Sequence, residues 1–230
     1  LVEFDQEAEI KICAAILFPA GHLSWEDNMR MVSALPPEKR KELLRTYLRG
    51  RTERWQKVGR AFESSYLRFE ITMNVGAYRD LHRHRMATQE RQLFSCHHGY
   101  DVPEEIIEAG LDAQFREALD RAGELFLKIK KHDPELAQYV VPLAYRMRFY
   151  QWQNFRQIFW EGELRTTPQG HPDYRRIEQE KYGLVREKFP LIAELMLVDM
   201  ADYPFARRGT EEAIKQKEAK IIKGLGKQAP

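Results

Sequence analysis

The sequence predicts an α+β fold: a small mixed or antiparallel sheet flanked by long helices. Three observations carry this. Tyr66 to Met73 alternates Leu67, Phe69, Ile71 and Met73 with Arg68, Glu70 and Thr72, the two-residue period of a half-buried strand. Leu143 to Trp152 reads as a second strand, with Arg146, Arg148 and Tyr150 on one face. Most of the remaining chain carries helix starts and helical apolar spacing, with no internal repeat and no low-complexity linker.

In chain order, Glu9 to Phe18 is apolar enough for a strand or another buried element. Ser24 to Asp27, "SWED", has the capping-box pattern and starts a helix running to about Ala34. Pro36 interrupts, and Pro37 suits the first position of a second helix ending near Gly50. A long helix is expected from about Pro103 to Lys130, with an apolar stripe of Ile107, Leu111, Phe115, Leu119, Ala122, Phe126 and Ile129. Further helices are expected from Asn154 to Leu164, from Pro172 to Lys188, and from Pro190. The division is one domain over 1–205 and a charged C-terminal helix or tail over 206–230.

Composition narrows the function. A length of 230 residues suits a single core. The net charge of +2 gives no global attraction to nucleic acid or membrane, so any basic site is local. Two cysteines, Cys13 and Cys96, make no disulfide framework and point to a reducing, cytoplasmic compartment. Cys13 is expected as a small buried apolar group. The apolar stretch from Ile12 to Phe18 follows Glu7 and Glu9, not the basic flank of a secretory signal. The chain begins at Leu1, which fits a piece of a longer polypeptide.

The chemistry concentrates at Arg83-His84-Arg85, with Arg79, His82 and Arg91 close by. Guanidinium forks suit phosphate or carboxylate, so the cluster reads as an anion-holding corner or as a solvated basic turn. A nucleic-acid stripe would be broken by Asp80 and Glu90. A metal reading of His82, His84, Cys96, His97 and His98 lacks any C-x-x-C or H-E-x-x-H spacing. Trp55, Trp152 and Trp160 read as core or interface packing, and Arg146 and Arg148 as a solvated strand face.

"RHRMATQERQL", Arg83 to Leu93, resembles the signature of the flavin-dependent thymidylate synthases. Outside it, Glu63 stands in the place of a family Glu. "NFR", Asn154 to Arg156, and the later Arg165 resemble the family's Asn-x-Arg and the helix ending in Arg. The resemblance extends from about Glu9 to Leu195. It implies the family's α+β fold and a homotetramer with FAD between subunits. It also implies a reaction methylating dUMP to dTMP with methylenetetrahydrofolate and NADPH. By the same resemblance Glu63, Arg83, His84, Arg85, Asn154 and Arg156 would bind FAD. Arg83, Arg91 and Arg165 would bind dUMP, with Arg165 the catalytic contact to uracil. The alternative is a non-catalytic half of a tandem protein, supplying interface and flavin contacts.

The chain departs from the family pattern mainly where dUMP would sit. The signature's Ser is Leu93, its Asn-Glu is Glu90-Arg91, and its final Arg is Ser95. Asp80 replaces a Gln, Gln138 an Arg, and Val58 and Arg60 a His and a Thr. Losing cations beside a dianionic phosphate implies weak dUMP binding unless Arg60 or Arg91 compensates.

Overall fold

The computed structural model describes residues 1–203 and 214–219. In order the elements are β1 (Glu3–Phe4), α1 (Ala8–Leu17), α2 (Trp25–Ser33), α3 (Pro37–Tyr47), β2 (Tyr66–Asn74), α4 (Val75–Leu81), β3 (Thr88–Arg91), α5 (Glu104–Glu108), α6 (Asp112–Lys130), α7 (Pro134–Ala137), β4 (Arg146–Asn154), α8 (Phe155–Arg165), α9 (Pro172–Lys188) and α10 (Pro190–Ala193). A 3-10 turn at Arg60–Glu63 precedes β2.

The four strands form one antiparallel sheet in the order β1-β2-β4-β3. β2 and β4 pair along their whole length, from Tyr66↔Asn154 to Asn74↔Arg146. Alternation then sorts the side chains. Leu67, Phe69, Ile71, Met73, Met147 and Phe149 are buried on the inner face, against α8 and α9. Tyr66, Glu70, Thr72, Arg146 and Trp152 stay exposed on the outer one. The α+β expectation and both strands are thus seen directly.

The helix starts follow the local chemistry. Ser24 accepts the Asp27 amide at 3.1 Å and caps α2. Pro37 opens α3, which closes before Gly50, a residue at φ +82° where glycine alone is unstrained. Both long strands end in an asparagine that caps the next helix: Asn74 accepts from Ala77 N at 2.8 Å, and Asn154 from Gln157 N at 2.9 Å.

Two expectations are corrected. The segment from Glu9 to Phe18 is the buried element and not a strand: it forms helix α1, with Ala8, Ile12, Cys13, Ala14 and Ile16 buried. An apolar run with little polar relief looks alike in a buried helix and a buried strand. The long helix breaks into α5 and α6 at Gly110, φ +69°, and of its expected stripe only Leu119 and Phe126 are buried. Ile107 and Leu111 are exposed; Trp55, 67% exposed, is outside the core, which leaves interface packing of the two expected roles. In the tail, 214–219 is helical and exposed; the rest of 206–230 lies outside the described residues. Among the described residues no helix is long and apolar enough to cross a membrane.

Candidate functional site

α4 and α8 meet at their C-terminal ends, and the site is built there. Gln157, Glu161 and Arg165 lie four residues apart on α8 and so share one helix face. His84 follows α4 and is buried. Its Nε2 accepts a hydrogen bond from Arg165 Nε at 2.8 Å, and its Nδ1 faces the Gln157 side-chain amide at 3.2 Å. A neutral imidazole accepting at Nε2 carries its proton on Nδ1; the Gln157 amide nitrogen stands opposite it, and Nδ1 donates to this side chain only with the amide turned to present its oxygen. Burial, together with the nearby Arg165 and Lys181 charges, holds the His84 pKa below its ordinary value, against the pull of Glu161. The ring is therefore neutral, and its tautomer suits the arginine.

Arg165 is further held by Nη2, which donates to the Asp80 carbonyl at the end of α4 at 2.6 Å. Its guanidinium lies 5.4 Å from the centre of the Tyr174 ring. The remaining nitrogen, Nη1, is 3.8 Å from Asp80 Oδ1. Arg83 Nη1 is 3.9 Å from the same oxygen. Both distances exceed a hydrogen bond, so the carboxylate is flanked by two guanidiniums without being spent on either.

Behind Arg165 lies a polar layer that the sequence reading missed. Gln151 and Gln153 follow Met147 and Phe149 on the inner face of β4, and both are fully buried. They donate to the two oxygens of Glu161, Gln151 at 3.0 Å. Lys181 on α9 reaches Gln151 Oε1 and Glu178 Oε1, each at 2.9 Å, and Glu161 at 3.5 Å. Burial opposes ionisation of Glu161, but Lys181 and the two amides outweigh it, and its carboxyl is held below the usual range. Glu178 goes the other way: burial and the charge of Glu161 push it up to about 8, although Lys181 opposes this. Lys181 is raised, since its two carboxylate partners outweigh its desolvation. The layer thus sets one cation against two carboxyls, of which Glu178 keeps its proton the more readily. The available signal was parity: two glutamines at inward positions of a strand, and a glutamate four residues from Arg165.

The other expected site residues form an open rim. Arg156 donates to Glu63, which also pairs with Arg60 at 3.4 Å. These partners, Arg156 first, lower the Glu63 pKa against its slight burial. Asn154 spends its carbonyl on the α8 cap. Arg85 is exposed and has no side-chain partner among the described residues. Arg91 is exposed, with its guanidinium 4.2 Å from the Phe94 ring. Near Arg156, Lys57 Nζ stands 3.0 Å from the centre of the Trp160 ring. Burial and the charges of Arg54, Arg51 and Arg156 lower the Lys57 pKa despite Glu163.

The substituted positions have their own structural tasks. Gln138 Oε1 accepts from Phe94 N at 3.0 Å, and Ser95 Oγ from His97 N at 3.4 Å. Leu93 is exposed, Val58 is buried, and Arg60 is exposed beside Glu63. The structure brings together Arg83, His84, Arg165 and Asp80 in one group, and Glu63 and Arg156 in another. Clefts of about 450 and 350 Å³ lie elsewhere, on the outer side of α3 and beside β1, and neither is lined by these residues.

The profile of the thymidylate synthase complementing protein family matches residues 1–191. A UPF0159 protein of Chlamydia pneumoniae is 40% identical over 215 residues, 92% of this chain and 40% of that protein. A UPF0159 protein of Thermoplasma acidophilum is 33% identical over 219 residues, 92% of this chain and 43% of that protein. The chain thus spans about two fifths of the length of the curated relatives it matches. A UMP/dUMP methylase of Streptomyces cacaoi, solved with 5-bromo-dUMP, superposes with a TM-score of 0.64 at 16% identity, over 81% of this chain and 89% of that one. That likeness is one of fold.

Proposed function

The chain belongs to the thymidylate synthase complementing protein family, and from that premise we propose that it is a flavin-dependent unit acting on a uracil nucleotide. The observation that carries the reading is Arg165, a guanidinium fixed by a buried neutral histidine and a helix-end carbonyl, with one nitrogen left over. A cation so placed is preorganised for charge developing on a pyrimidine carbonyl. The assignment makes Arg165 the residue that touches uracil and His84 the residue that holds Arg165 in place. His84 has both ring nitrogens engaged within the chain, which favours this role over direct contact with FAD.

The rim fits the anionic parts of FAD. Arg85 is exposed and unpaired among the described residues, and Arg156 is 40% exposed with Glu63 as its partner. Arg85 and Arg156 would face the diphosphate. Asn154 retains an amide NH₂ for a ring carbonyl, and Glu63 orients Arg156. When bound, the flavin supplies hydride chemistry, with methylenetetrahydrofolate as carbon source and NADPH as reductant. Exposed Met86, Leu93, Tyr139 and Leu143 support an assembly of several copies, a tetramer in the family pattern. Light scattering tests that assembly, and a monomer at micromolar concentration counts against it.

Titrating apoprotein with FAD and following flavin absorbance tests the central claim. A shifted or quenched spectrum is expected, and no change at high micromolar FAD overturns it. Gln138 and Ser95 hold the backbone where the family places phosphate cations. Two lost charge-assisted bonds of about 1.5–3 kcal/mol each weaken dUMP by at least about a hundredfold, which calorimetry on the loaded protein reads. Arg91, stacked on Phe94, is the residue that would compensate.

A second reading is favoured by the length of the relatives. This chain would be a unit of a larger protein, giving interface and flavin contacts while another unit completes the nucleotide site. Tritium release from labelled dUMP separates the two: release by this chain alone supports the first reading, and release only by the longer protein supports the second.

A further inference from the structure

Asp80 stands where the resemblance calls for a neutral amide, and its surroundings give that change a use. Its Oδ1 lies 3.8 Å from Arg165 Nη1 and 3.9 Å from Arg83 Nη1. Arg165 cannot swing to close the gap, because Nε is held by buried His84 and Nη2 by the Asp80 carbonyl. Asp80 is half-buried, and its side chain hangs from the last turn of α4. Two donors thus stand within 4 Å of one acceptor oxygen, and each of the three groups still has a free position.

An imide presents the complement. Uracil offers a carbonyl, an N3–H and a second carbonyl in a row, and the pyrimidine ring of a flavin offers the same three. Cytosine offers a carbonyl, a bare N3 and an amino group. Only the first of these matches, and the other two set lone pair against carboxylate and N–H against guanidinium. Mismatched polar groups in a built site discriminate more strongly than a missing methylene does.

We propose that Asp80 is a specificity-determining residue that accepts the N3–H of an imide ring while Arg165 and Arg83 donate to its two carbonyls. The inference rests on the uracil and flavin reading above and adds the group that reads N3. It also reconciles Asp80 with that reading: a carboxylate repels a phosphate but suits the base edge. Recognition is thereby shifted from the phosphate, whose cations are replaced at Ser95 and Gln138, to the ring.

The test is calorimetric titration of the full chain with dUMP, N3-methyl-dUMP, dCMP, riboflavin and N3-methylriboflavin, repeated on Asp80→Ala and Asp80→Asn. N3-methylation should weaken binding to the native chain by about tenfold or more, a loss of about 1.4 kcal/mol. In Asp80→Ala the penalty should fall below about threefold, and dCMP should approach dUMP. Circular dichroism confirms that the variants fold; Asp80→Asn keeps an oxygen that accepts N3–H and should keep part of the penalty, while Asp80→Leu, which has no acceptor, serves if the alanine variant does not fold. Sensitivity confined to the uridine pair, or to the riboflavin pair, assigns the edge to nucleotide or to flavin. Imides that bind with no N3-methyl penalty, or with one that persists without Asp80, overturn this proposal alone. Binding of no imide at millimolar concentration overturns it together with the functional reading.

Discussion

The polar layer under α8 and the arginine rim above it hold similar residues in opposite circumstances. In the layer, Glu161, Glu178 and Lys181 are almost wholly out of solvent, and each is answered by another side chain. On the rim, Arg83 and Arg85 are exposed, and neither makes a side-chain hydrogen bond among the described residues. Interior charge carries a large desolvation penalty, so it persists only in matched sets. Surface cations are screened and carry little folding energy whether or not they are paired. Mutation should therefore separate stability from ligand binding along this boundary.

The largest expected effect follows from breaking the layer. Glu161→Ala removes one of the two carboxyls that face Lys181 and orphans two buried glutamine amides. Urea denaturation should show a loss of about 3–5 kcal/mol, as for one partner removed from a buried pair. Replacing Glu161, Glu178 and Lys181 together by apolar residues of like size should recover most of that loss. If the triple variant is as unstable as the single one, packing rather than charge matching governs the layer.

The next effect is in pH. Glu178 titrates at about 8 in the folded chain against an ordinary 4.5. Between those values the folded state binds more protons than the unfolded one, so this group makes stability fall as pH rises from about 4.5 to about 8. Glu178→Gln should flatten that limb in midpoints measured across the range. On the acid side, His84 is held below its ordinary 6.5, so the folded state takes up its proton less readily. Its contribution is lost as pH falls below that value, a limb that His84→Asn should weaken.

The smallest expected effect on stability is at the rim. Arg85→Ala should change unfolding by less than about 0.5 kcal/mol. The same variant should weaken FAD by about 1.5–3 kcal/mol if the guanidinium bonds to a charged group. A rim variant that destabilises the chain but leaves FAD binding unchanged breaks the comparison.

What the sequence could show by itself was local or contiguous. Period-two alternation marks β2, and the bounds expected for α9, Pro172 to Lys188, are the ones observed. Ser24 and Pro37 mark helix starts because a cap or a fixed φ is a property of the residues at that point. The Arg-His-Arg run with Asn-x-Arg is a pattern along the chain, and it was enough to point to the family. Tertiary structure alone decided whether Glu9 to Phe18 coiled or extended, because burial on every side erases the periodicity that separates the two. It decided that His84 turns inward while Arg83 and Arg85 turn out, and that Arg165 meets Asp80, 85 residues earlier in the chain. It decided too that Glu161, Glu178 and Lys181 could be buried at all. Desolvation is set by everything packed around a group, and those neighbours come from β4, α8 and α9, which only the completed fold brings together.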